Sequence, residues 1–288
     1  MSTNSGAAPN NARQAIGPNW LVAPVQRTGA NLLRWISALG RSPQAPPPRW
    51  PAVGTVAIVL TIAVVVASMF FVDAAASTWA RGLPYGLRSF ADEITNYGQS
   101  GWFLYPLGFI LLFLAVVGSP KLPSAAQETV ALLAARVGFL FMAVAMPSLF
   151  DTIVKRLIGR ARPYVGSHDN PFHYVPLAWD PEYASMPSGH ATTAAAAAIA
   201  FGAIWPRLRP AMWLYALIIM ATRVIINVHH PSDVLAGALV GVVGAFLVRR
   251  WFAARGMAFS ADLHPQPGPS RPRLKDVAAA FVGKKPND

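Results

Sequence analysis

Three short polar clusters stand at the ends of long apolar segments in this chain. They are Lys155 with Arg162-Pro163, then Pro187-Ser188-Gly189-His190, and finally Arg223 with His229 and Asp233. Guanidinium and ammonium groups neutralise phosphate oxygens, one imidazole can attack phosphorus while a carboxylate orients it, and a second imidazole can protonate the leaving oxygen. Together, these side-chain types predict phosphoryl transfer through a histidine.

The first cluster supplies positive charge where the third apolar segment ends. Lys155 and Arg162 are seven positions apart, which corresponds to two turns and nearly the same face of a helix, and Pro163 would end that helix. Arg160 adds positive potential, and Asp151 can form an i,i+4 ion pair with Lys155. We interpret Lys155 and Arg162 as phosphate ligands. The alternative is a basic collar whose side chains snorkel to the membrane surface.

The second cluster has the composition of an anion-binding helix start. Pro187 suits the first helical position, and the three residues after it then offer backbone N–H groups that the helix itself does not use. Gly189 lets a phosphate approach the backbone, and the Ser188 hydroxyl adds a donor. His190 follows directly, so we interpret it as part of the site rather than as an ordinary interfacial histidine.

The third cluster combines a cation inside an apolar segment with a histidine and a carboxylate. Arg223 lies about two turns inside the end of a helix, where a charge needs an anionic partner, and a bound phosphate would provide one. Asp233, in the first turn of the last helix, can accept the proton of one His229 nitrogen and leave the other as a nucleophile. His230 competes for that role, but the four-residue step to Asp233 favours His229. The alternative for this segment is a structural ion pair between Arg223 and Asp233.

The amino-acid composition predicts that this chemistry takes place in a membrane. The 288 residues are 54% hydrophobic and only 12% charged, which is too apolar for a soluble domain of this size. The net charge of +12 falls mostly between and beyond the apolar segments, so it predicts membrane topology and contact with anionic lipid headgroups rather than nucleic-acid binding. The chain has no cysteine, which excludes disulfides, thiolate metal sites and cysteine nucleophiles.

Six apolar segments, each near the ~20 residues needed to cross a bilayer, predict an all-α bundle of six transmembrane helices. They cover residues 52–72, 102–118, 129–154, 188–205, 210–229 and 232–253. The distribution of basic residues then puts both termini in the cytoplasm and all three polar clusters at the outer surface, which is the periplasmic face of a bacterial inner membrane. Residues 25–40 have one apolar and one basic side, and they predict a further amphipathic helix in the inner headgroup plane, with a partly ordered tail as the alternative.

The residues outside the three clusters predict how the last helix packs, what lies beside the site and where the domains end. Gly237 and Gly241 predict a small-residue face for close packing of the last helix. The segment between Pro163 and Pro187 is long enough to cover the site, so we interpret it as a lid or substrate-selecting loop, with a plain solvated connection as the alternative. The predicted domains are a cytoplasmic tail with the interfacial helix (1–50), the six-helix membrane domain (51–253) and a disordered basic cytoplasmic tail (254–288).

In this order and spacing, the clusters resemble the three signature motifs of the type 2 phosphatidic acid phosphatase superfamily. The motifs are Lys155, six residues, Arg162-Pro163; Pro187-Ser188-Gly189-His190; and Arg223, five residues, His229, three residues, Asp233. One position departs, because Thr222 stands where a serine usually precedes the arginine of the third motif, and it keeps the hydroxyl. The motifs cover residues 155–233, and the six-segment layout extends the match to about residues 50–253.

The resemblance implies a metal-independent membrane lipid phosphatase without a cofactor. His229 would attack phosphorus with Asp233 holding its ring, and His190 would protonate the leaving alkoxide and then activate water. The substrate would be a phosphate monoester or diphosphate of a lipid at the outer face, such as phosphatidic acid, phosphatidylglycerol phosphate, polyprenyl diphosphate or a lipid A phosphate. The residues that would hold its phosphate are Lys155, Arg162, Ser188, Gly189 and Arg223.

Three alternatives share parts of this pattern. A lipid phosphotransferase would use the same phosphohistidine and pass the group to another lipid hydroxyl, whereas a non-catalytic lipid-phosphate binding protein would need no histidine chemistry. The vanadium haloperoxidases share the motifs because vanadate mimics phosphate, but they are soluble, and six apolar segments argue against that class. The predicted partners are therefore a lipid phosphate and the bilayer, without nucleic acid. The sequence pattern favours neither a monomer nor an oligomer.

Overall fold

The computed structural model describes residues 19–44, 46, 50–166 and 170–267, with side chains from residue 24 onward. These residues form nine α-helices and two isolated β-bridges but no strand, which confirms the all-α prediction. The helices are α1 (Asn19–Leu39), α2 (Ala52–Phe71), α3 (Asp73–Arg81), α4 (Tyr85–Thr95), α5 (Gly101–Val117), α6 (Ser124–Ile158), α7 (Gly189–Ile204), α8 (Arg209–Ile225) and α9 (Pro231–Ala254).

Five segments of the described chain are long and apolar enough to cross a membrane. They are Ala52–Phe71, Tyr85–Val117, Ser124–Ile158, Pro206–Ile225 and Pro231–Ala254. The fourth predicted segment forms α7, which has only 16 residues. At about 1.5 Å per residue this helix is roughly 24 Å long, which is shorter than the ~30 Å hydrocarbon core. By length alone the chain therefore has five candidate spans, and the sixth stays a prediction.

The short helix α7 lies in the middle of the bundle, where it packs against α6, α8 and α9. Half of its residues are alanines and most of its residues are buried, so the small methyl groups let neighbouring helices approach closely. A Cβ atom added at Gly237 would overlap the carbonyl oxygen of Ser188, and one at Gly241 would overlap that of Thr192. The predicted small-residue face on the last helix is thus confirmed, and it presses α9 onto the start of α7.

The longest helix, α6, ends before the first polar cluster is complete. Gly159 follows it with a φ of 64°, the left-handed conformation that closes a helix, and a Cβ atom there would overlap the carbonyl oxygen of Val175. The prediction that Pro163 ends this helix is therefore wrong, because the glycine ends it four residues earlier. Lys155 lies in the last helical turn, whereas Arg162 belongs to the segment that follows.

The connection between the first two apolar segments is helical, which the apolar pattern did not predict. It consists of α3 and α4 followed by a single 3-10 turn, Asn96–Gly98, that leads into α5. Helix α4 packs against α8, and α3 contacts both α8 and α9. These two helices are important because they bring Asp73 and Thr95 to the ends of the helices that carry the polar clusters.

The amphipathic segment near the N-terminus forms α1, which is longer than predicted. The Asn31 side chain donates hydrogen bonds to the carbonyl oxygens of Ala115 and Gly118, both 2.9 Å away, and these bonds hold α1 against the end of α5. Val25 and Ile36 are exposed, as expected of a helix that contacts lipid. The location of α1 in the inner headgroup plane stays a prediction.

Part of the segment predicted as a disordered C-terminal tail packs on the bundle. Phe259 is fully buried and stacks edge-on against Phe139 of α6, with ring centroids 4.7 Å apart. The guanidinium groups of Arg136 and Arg249 donate to carbonyl oxygens of residues 266 and 263 in this segment. The boundary predicted at residue 253 is therefore too early, because the apolar side chains beyond it find partners in the bundle. Residues 268–288 of the predicted tail, and residues 1–18 of the N-terminal tail, lie outside the described residues.

Candidate active site

The three polar clusters meet around one cavity of about 250 Å³ at the end of the bundle where α6 and α8 end and α7 begins. Six of the eight residues predicted for the site line this cavity, and they are Lys155, Arg162, Gly189, His190, Arg223 and His229. The other lining residues are Thr152, Arg156, Pro181 and Ala184. Asp233 and Ser188 lie behind this wall. The lining thus contains four cationic side chains and two imidazoles, with no carboxylate.

His229 is buried between the cavity and the Asp233 carboxylate. Its Nδ1 atom is 3.8 Å from Oδ2 of Asp233 and, among the described residues, has no hydrogen-bond partner. Burial lowers the pKa of His229 to about 4; the Asp233 carboxylate opposes this shift, and the Arg223 guanidinium adds to it. The imidazole is therefore neutral at pH 7, which is the state that a nucleophile requires. The contact is longer than a hydrogen bond, so the structure brings this pair together without completing the predicted bond.

His230, the competing candidate nucleophile, faces away from the cavity. Its Nδ1 atom is 3.3 Å from the Ser77 hydroxyl of α3, and its backbone N–H donates to Oδ2 of Asp233 at 2.8 Å. The ring is almost completely buried and does not line the cavity. These contacts make His230 a structural partner of Asp233 and leave His229 as the histidine of this pair that reaches the cavity.

Arg223 is held at the cavity by α4. Its Nη1 group donates to the Thr95 hydroxyl at 2.7 Å, while its Nε group has no hydrogen-bond partner in the described part of the chain. The alternative ion pair between Arg223 and Asp233 does not form, because Asp233 pairs with a different arginine. The guanidinium is thus positioned by a neutral side chain, and its charge remains available for an anion in the cavity.

Lys155 and Gly189 adjoin each other where α6 meets α7. The Nζ atom of Lys155 forms the predicted i,i+4 ion pair with Asp151, at 2.5 Å, and Asp151 also accepts a hydrogen bond from Thr192 at 3.2 Å. A Cβ atom at residue 189 would lie only 3.0 Å from this Nζ atom and 3.1 Å from the Asp151 carboxylate. Glycine is therefore what allows the ammonium group to lie against the start of α7.

The start of α7 differs from its prediction by two residues. Helix α7 begins at Gly189 with Ser188 as its N-cap, so Pro187 precedes the helix. The N–H group of Ser188 donates to the carbonyl oxygen of Asp233 at 3.0 Å and is not free for phosphate. Its hydroxyl is buried and has no hydrogen-bond partner among the described residues, so a phosphate-binding role of Ser188 stays a prediction.

Arg160, which we expected to add positive potential outside, is instead fully buried behind the site. Its two terminal amino groups pair with Oδ1 of Asp233 at 2.6 Å and Oδ2 of Asp73 at 2.8 Å, and its Nε group donates to the carbonyl oxygen of Pro171 at 3.0 Å. Although burial lowers the pKa of Arg160, the Asp233 and Asp73 carboxylates outweigh it and raise that pKa above its usual value. The signal that could have suggested this pair is Asp73 itself, a lone carboxylate directly after an apolar segment.

Arg156 and Arg162 hold the segment after Pro163 against the cavity. Arg156 donates to the carbonyl oxygens of Trp179 and Asp180 at 2.6 and 3.1 Å, and Nε of Arg162 donates to that of Pro181 at 3.0 Å. Residues 167–169 of this segment lie outside the described residues. No three His, Asp or Glu side chains in the described ranges are arranged to hold a metal ion. The segment forms one wall of the cavity, and its action as a lid stays a prediction.

Comparison with known proteins agrees with the motifs. The profile of the PAP2 superfamily matches residues 136–257. A lipid A 1-phosphatase of Rhizobium johnstonii is 33% identical over 230 residues, which cover 80% of this chain and 91% of that protein. A decaprenylphosphoryl-5-phosphoribose phosphatase of Mycobacterium tuberculosis is 30% identical over 165 residues, which cover 56% of this chain and 79% of that protein.

One solved structure is also similar. It is a transmembrane PAP2-type phosphatidylglycerolphosphate phosphatase from Bacillus subtilis, with a TM-score of 0.45 and 22% identity over 67% of this chain and 93% of that chain. Both curated relatives are phosphatases, and the lipid A 1-phosphatase covers most of this chain. With five segments long and apolar enough to cross a membrane, the chain is accordingly an integral membrane phosphate ester hydrolase, and it belongs to the PAP2, or type 2 phosphatidic acid phosphatase, superfamily.

Proposed function

We propose that this protein removes phosphate from a membrane lipid at the outer face of the membrane through a phosphohistidine intermediate. The observation that carries the proposal is the composition of the cavity wall, where His190 and His229 stand among four cations without a carboxylate. Such a cavity attracts an anion of the size of phosphate, and it offers that anion one neutral imidazole as a nucleophile and a second as an acid.

The proposed reaction has two steps. In the first, Nε2 of His229 forms a bond to phosphorus while the bond from phosphorus to the lipid oxygen breaks, and the imidazolium form of His190, which the negative charge of the bound phosphate favours, gives its proton to that oxygen. In the second, His190 takes a proton from water, whose oxygen attacks phosphorus and releases inorganic phosphate and His229. Nδ1 of His229 lies toward Asp233, which supports the assignment of Nε2 as the attacking atom.

The cations of the cavity stabilise the charge that builds on the phosphate oxygens. Arg162, Arg223 and Lys155 surround the cavity, and the N–H groups at the start of α7 add further donors, with Ser188 behind them. These groups are fixed before the substrate arrives, by Thr95, by Asp151 and by the carbonyl oxygen of Pro181. Preorganisation of this kind favours the transition state because no group has to be reoriented during the reaction.

The proposed topology has six spans, with α7 as the sixth and both termini in the cytoplasm. It is supported by the basic residues that lie at the end of the bundle opposite the cavity, because such residues concentrate on the cytoplasmic side. They include Arg207, Arg209, Arg249, Arg250 and Arg255, near the ends of α7 and α9 and the start of α8. In a bacterial inner membrane, this orientation directs the cavity to the periplasm.

The proposed substrate is a phosphate monoester or diphosphate of a lipid. Lipid A phosphate is the first candidate, because the relative that covers most of this chain is a lipid A 1-phosphatase. Phosphatidic acid, phosphatidylglycerol phosphate and polyprenyl diphosphate complete the series. The cavity itself recognises phosphate, so the choice among these lipids depends on contacts outside it.

The test is release of inorganic phosphate from each of these lipids in mixed micelles with EDTA present. We expect release from at least one lipid by the wild-type protein, and none by His229→Ala, which should still bind inorganic phosphate because the cations remain. Addition of an acceptor lipid separates a hydrolase from a phosphotransferase, since a hydrolase releases phosphate without the acceptor. Full turnover by His229→Ala would exclude His229 as the nucleophile.

A further inference from the structure

Asp73 lies outside all three polar clusters and yet is fully buried directly behind the residues that carry His229 and Asp233. Its carboxylate accepts hydrogen bonds from the backbone N–H of Ser232 at 3.0 Å, from the Ser232 hydroxyl, from Arg160 at 2.8 Å and from Ser68 at 3.3 Å. Each of these hydrogen bonds is accepted by a carboxylate oxygen of Asp73. One residue at the start of α3 thereby joins α2, the segment after α6 and the first turn of α9.

Asp73 also shares the guanidinium of Arg160 with Asp233. One amino group of Arg160 goes to each carboxylate, and the Ser232 hydroxyl contacts both Asp73 and Arg160. Because Oδ1 of Asp233 binds Arg160, its Oδ2 is the oxygen that faces His229 and accepts from Ser185 at 2.6 Å. Arg160, which Asp73 holds from its other side, therefore acts together with Ser185 to fix which carboxylate oxygen is directed at the histidine.

The network has an excess of negative charge. Two carboxylates share one guanidinium, so the buried group formed by Asp73, Arg160 and Asp233 has a net charge of −1 by this count. The titratable side chains that adjoin it are His229, His230 and Tyr174. A pair formed by Asp233 and Arg160 alone would be neutral, and the surplus charge is the contribution of Asp73.

That surplus matters because His229 changes charge during the proposed reaction. A neutral imidazole whose Nε2 forms a bond to phosphorus, while Nδ1 keeps its proton, becomes an imidazolium. A cation formed in a buried site is costly unless a negative charge lies close by, since the effective dielectric constant there is low. A net negative group behind the ring favours the phosphorylated histidine over the free one.

We infer that Asp73 is a positioning residue of the active site, which orients Asp233 through Arg160 and supplies the negative charge that stabilises the phosphorylated His229. The inference rests on the proposed function. This role of Asp73 differs from a purely structural one, in which Asp73 would only anchor α3 and its loss would affect folding alone.

Asp73→Asn tests this role because it removes the charge and keeps the size of the side chain. We expect kcat to fall roughly 10- to 100-fold with KM within about twofold, because ground-state binding of phosphate involves other residues. The burst that reports phosphohistidine formation should slow by the same factor. Inhibition by vanadate, which mimics the transition state, should weaken in parallel, whereas inhibition by inorganic phosphate should not change.

The matched control is Asp262→Asn, which changes an exposed aspartate at the opposite end of the bundle. It should leave kcat, KM, the burst rate and both kinds of inhibition unchanged.

Asp73→Glu keeps the charge, and it tests the inference if Asp73→Asn does not fold. We expect its kcat/KM to stay within about tenfold of wild type and above that of any folded Asp73→Asn protein. A folded Asp73→Asn enzyme with wild-type kcat and burst rate overturns the inference, as does an Asp73→Glu protein that folds normally but has lost all activity. If His229→Ala is inactive while Asp73→Asn equals wild type, only this inference fails; if His229→Ala is active, the proposed function itself fails.

Discussion

Burial of His229 sets both its protonation state and its contribution to stability. The folded protein lowers the pKa of His229 from 6.5 to about 4. Below pH 6.5 the unfolded chain gains a proton at this residue, whereas the folded chain gains one only near pH 4. Stability is therefore lost as the pH falls through this window, because the unfolded state binds more protons.

This linkage predicts a difference between the wild-type protein and His229→Gln. Between pH 7 and pH 5 the wild-type protein should lose about 2 kcal/mol of unfolding free energy through this histidine, and the variant should lose none of that part. Denaturation in detergent at the two pH values measures this difference in unfolding free energy. The contributions of the other histidines cancel, because both proteins contain them. The same pH dependence in both proteins would show that residue 229 titrates normally.

A second prediction at this scale concerns Arg223, whose guanidinium is held by Thr95 and faces the cavity. We expect Arg223→Ala to lower kcat/KM roughly 10²- to 10³-fold, because a fixed donor to the transition state is lost. Arg207→Ala, which removes an exposed arginine at the other end of the bundle, is the control and should have no effect. Unchanged catalytic efficiency in Arg223→Ala would mean that Arg223 does not contact phosphate.

The cavity residues could be predicted from sequence, because the three clusters together put cations and imidazoles at the ends of apolar segments, where a shared anion explains all of them at once. The network behind them could not. Arg160 and Asp73 are 87 positions apart, and although a lone carboxylate after an apolar segment indicates a buried cationic partner, nothing in the sequence indicates that this partner is Arg160. The position of Ser188 was also missed in part, since its N–H group is used by Asp233, which lies on another helix.

Among the helices, the most apolar ones were predicted to within a residue or two. Helices α2, α5 and α9 begin and end almost where their apolar segments do. The errors have local causes that apolar patterns do not contain. Helix α6 stops at the left-handed Gly159, and α8 stops before Asn227, which has a φ of 55°. Helices α3 and α4 were missed because their residues are too polar to form an apolar segment.

The contact between α7 and α9 gives a prediction about packing. We expect Gly241→Ala to destabilise the protein by about 1–3 kcal/mol, because the added methyl group overlaps the carbonyl oxygen of Thr192, which is backbone and cannot move aside. Gly138→Ala is the matched control on α6, where a Cβ atom meets nothing within 4 Å. That change should be neutral or stabilising by up to about 1 kcal/mol. Thermal unfolding of the two variants compares them, and equal stabilities would contradict the close approach.

For the whole molecule, the absence of cysteine makes the proposed orientation directly measurable. Trp179→Cys places a thiol on the exposed segment beside the cavity, and Arg207→Cys places one at the opposite end. In intact bacterial cells, a maleimide that cannot cross the inner membrane should label residue 179 and should label residue 207 only after that membrane is opened. Labelling in the reverse pattern would place the cavity in the cytoplasm.

The central location of α7 has a consequence for how the enzyme responds to its bilayer. Hydrophobic mismatch acts on helices whose sides contact lipid, and it is relieved by tilting or by local thinning of the bilayer. Helix α7 is enclosed by protein along most of its length, so its 16 residues need not match the thickness of the lipid around the bundle. Gly189 and His190 at its start are thereby kept at a depth that the surrounding helices determine, and membranes of different thickness should leave the spacing between the two histidines unchanged.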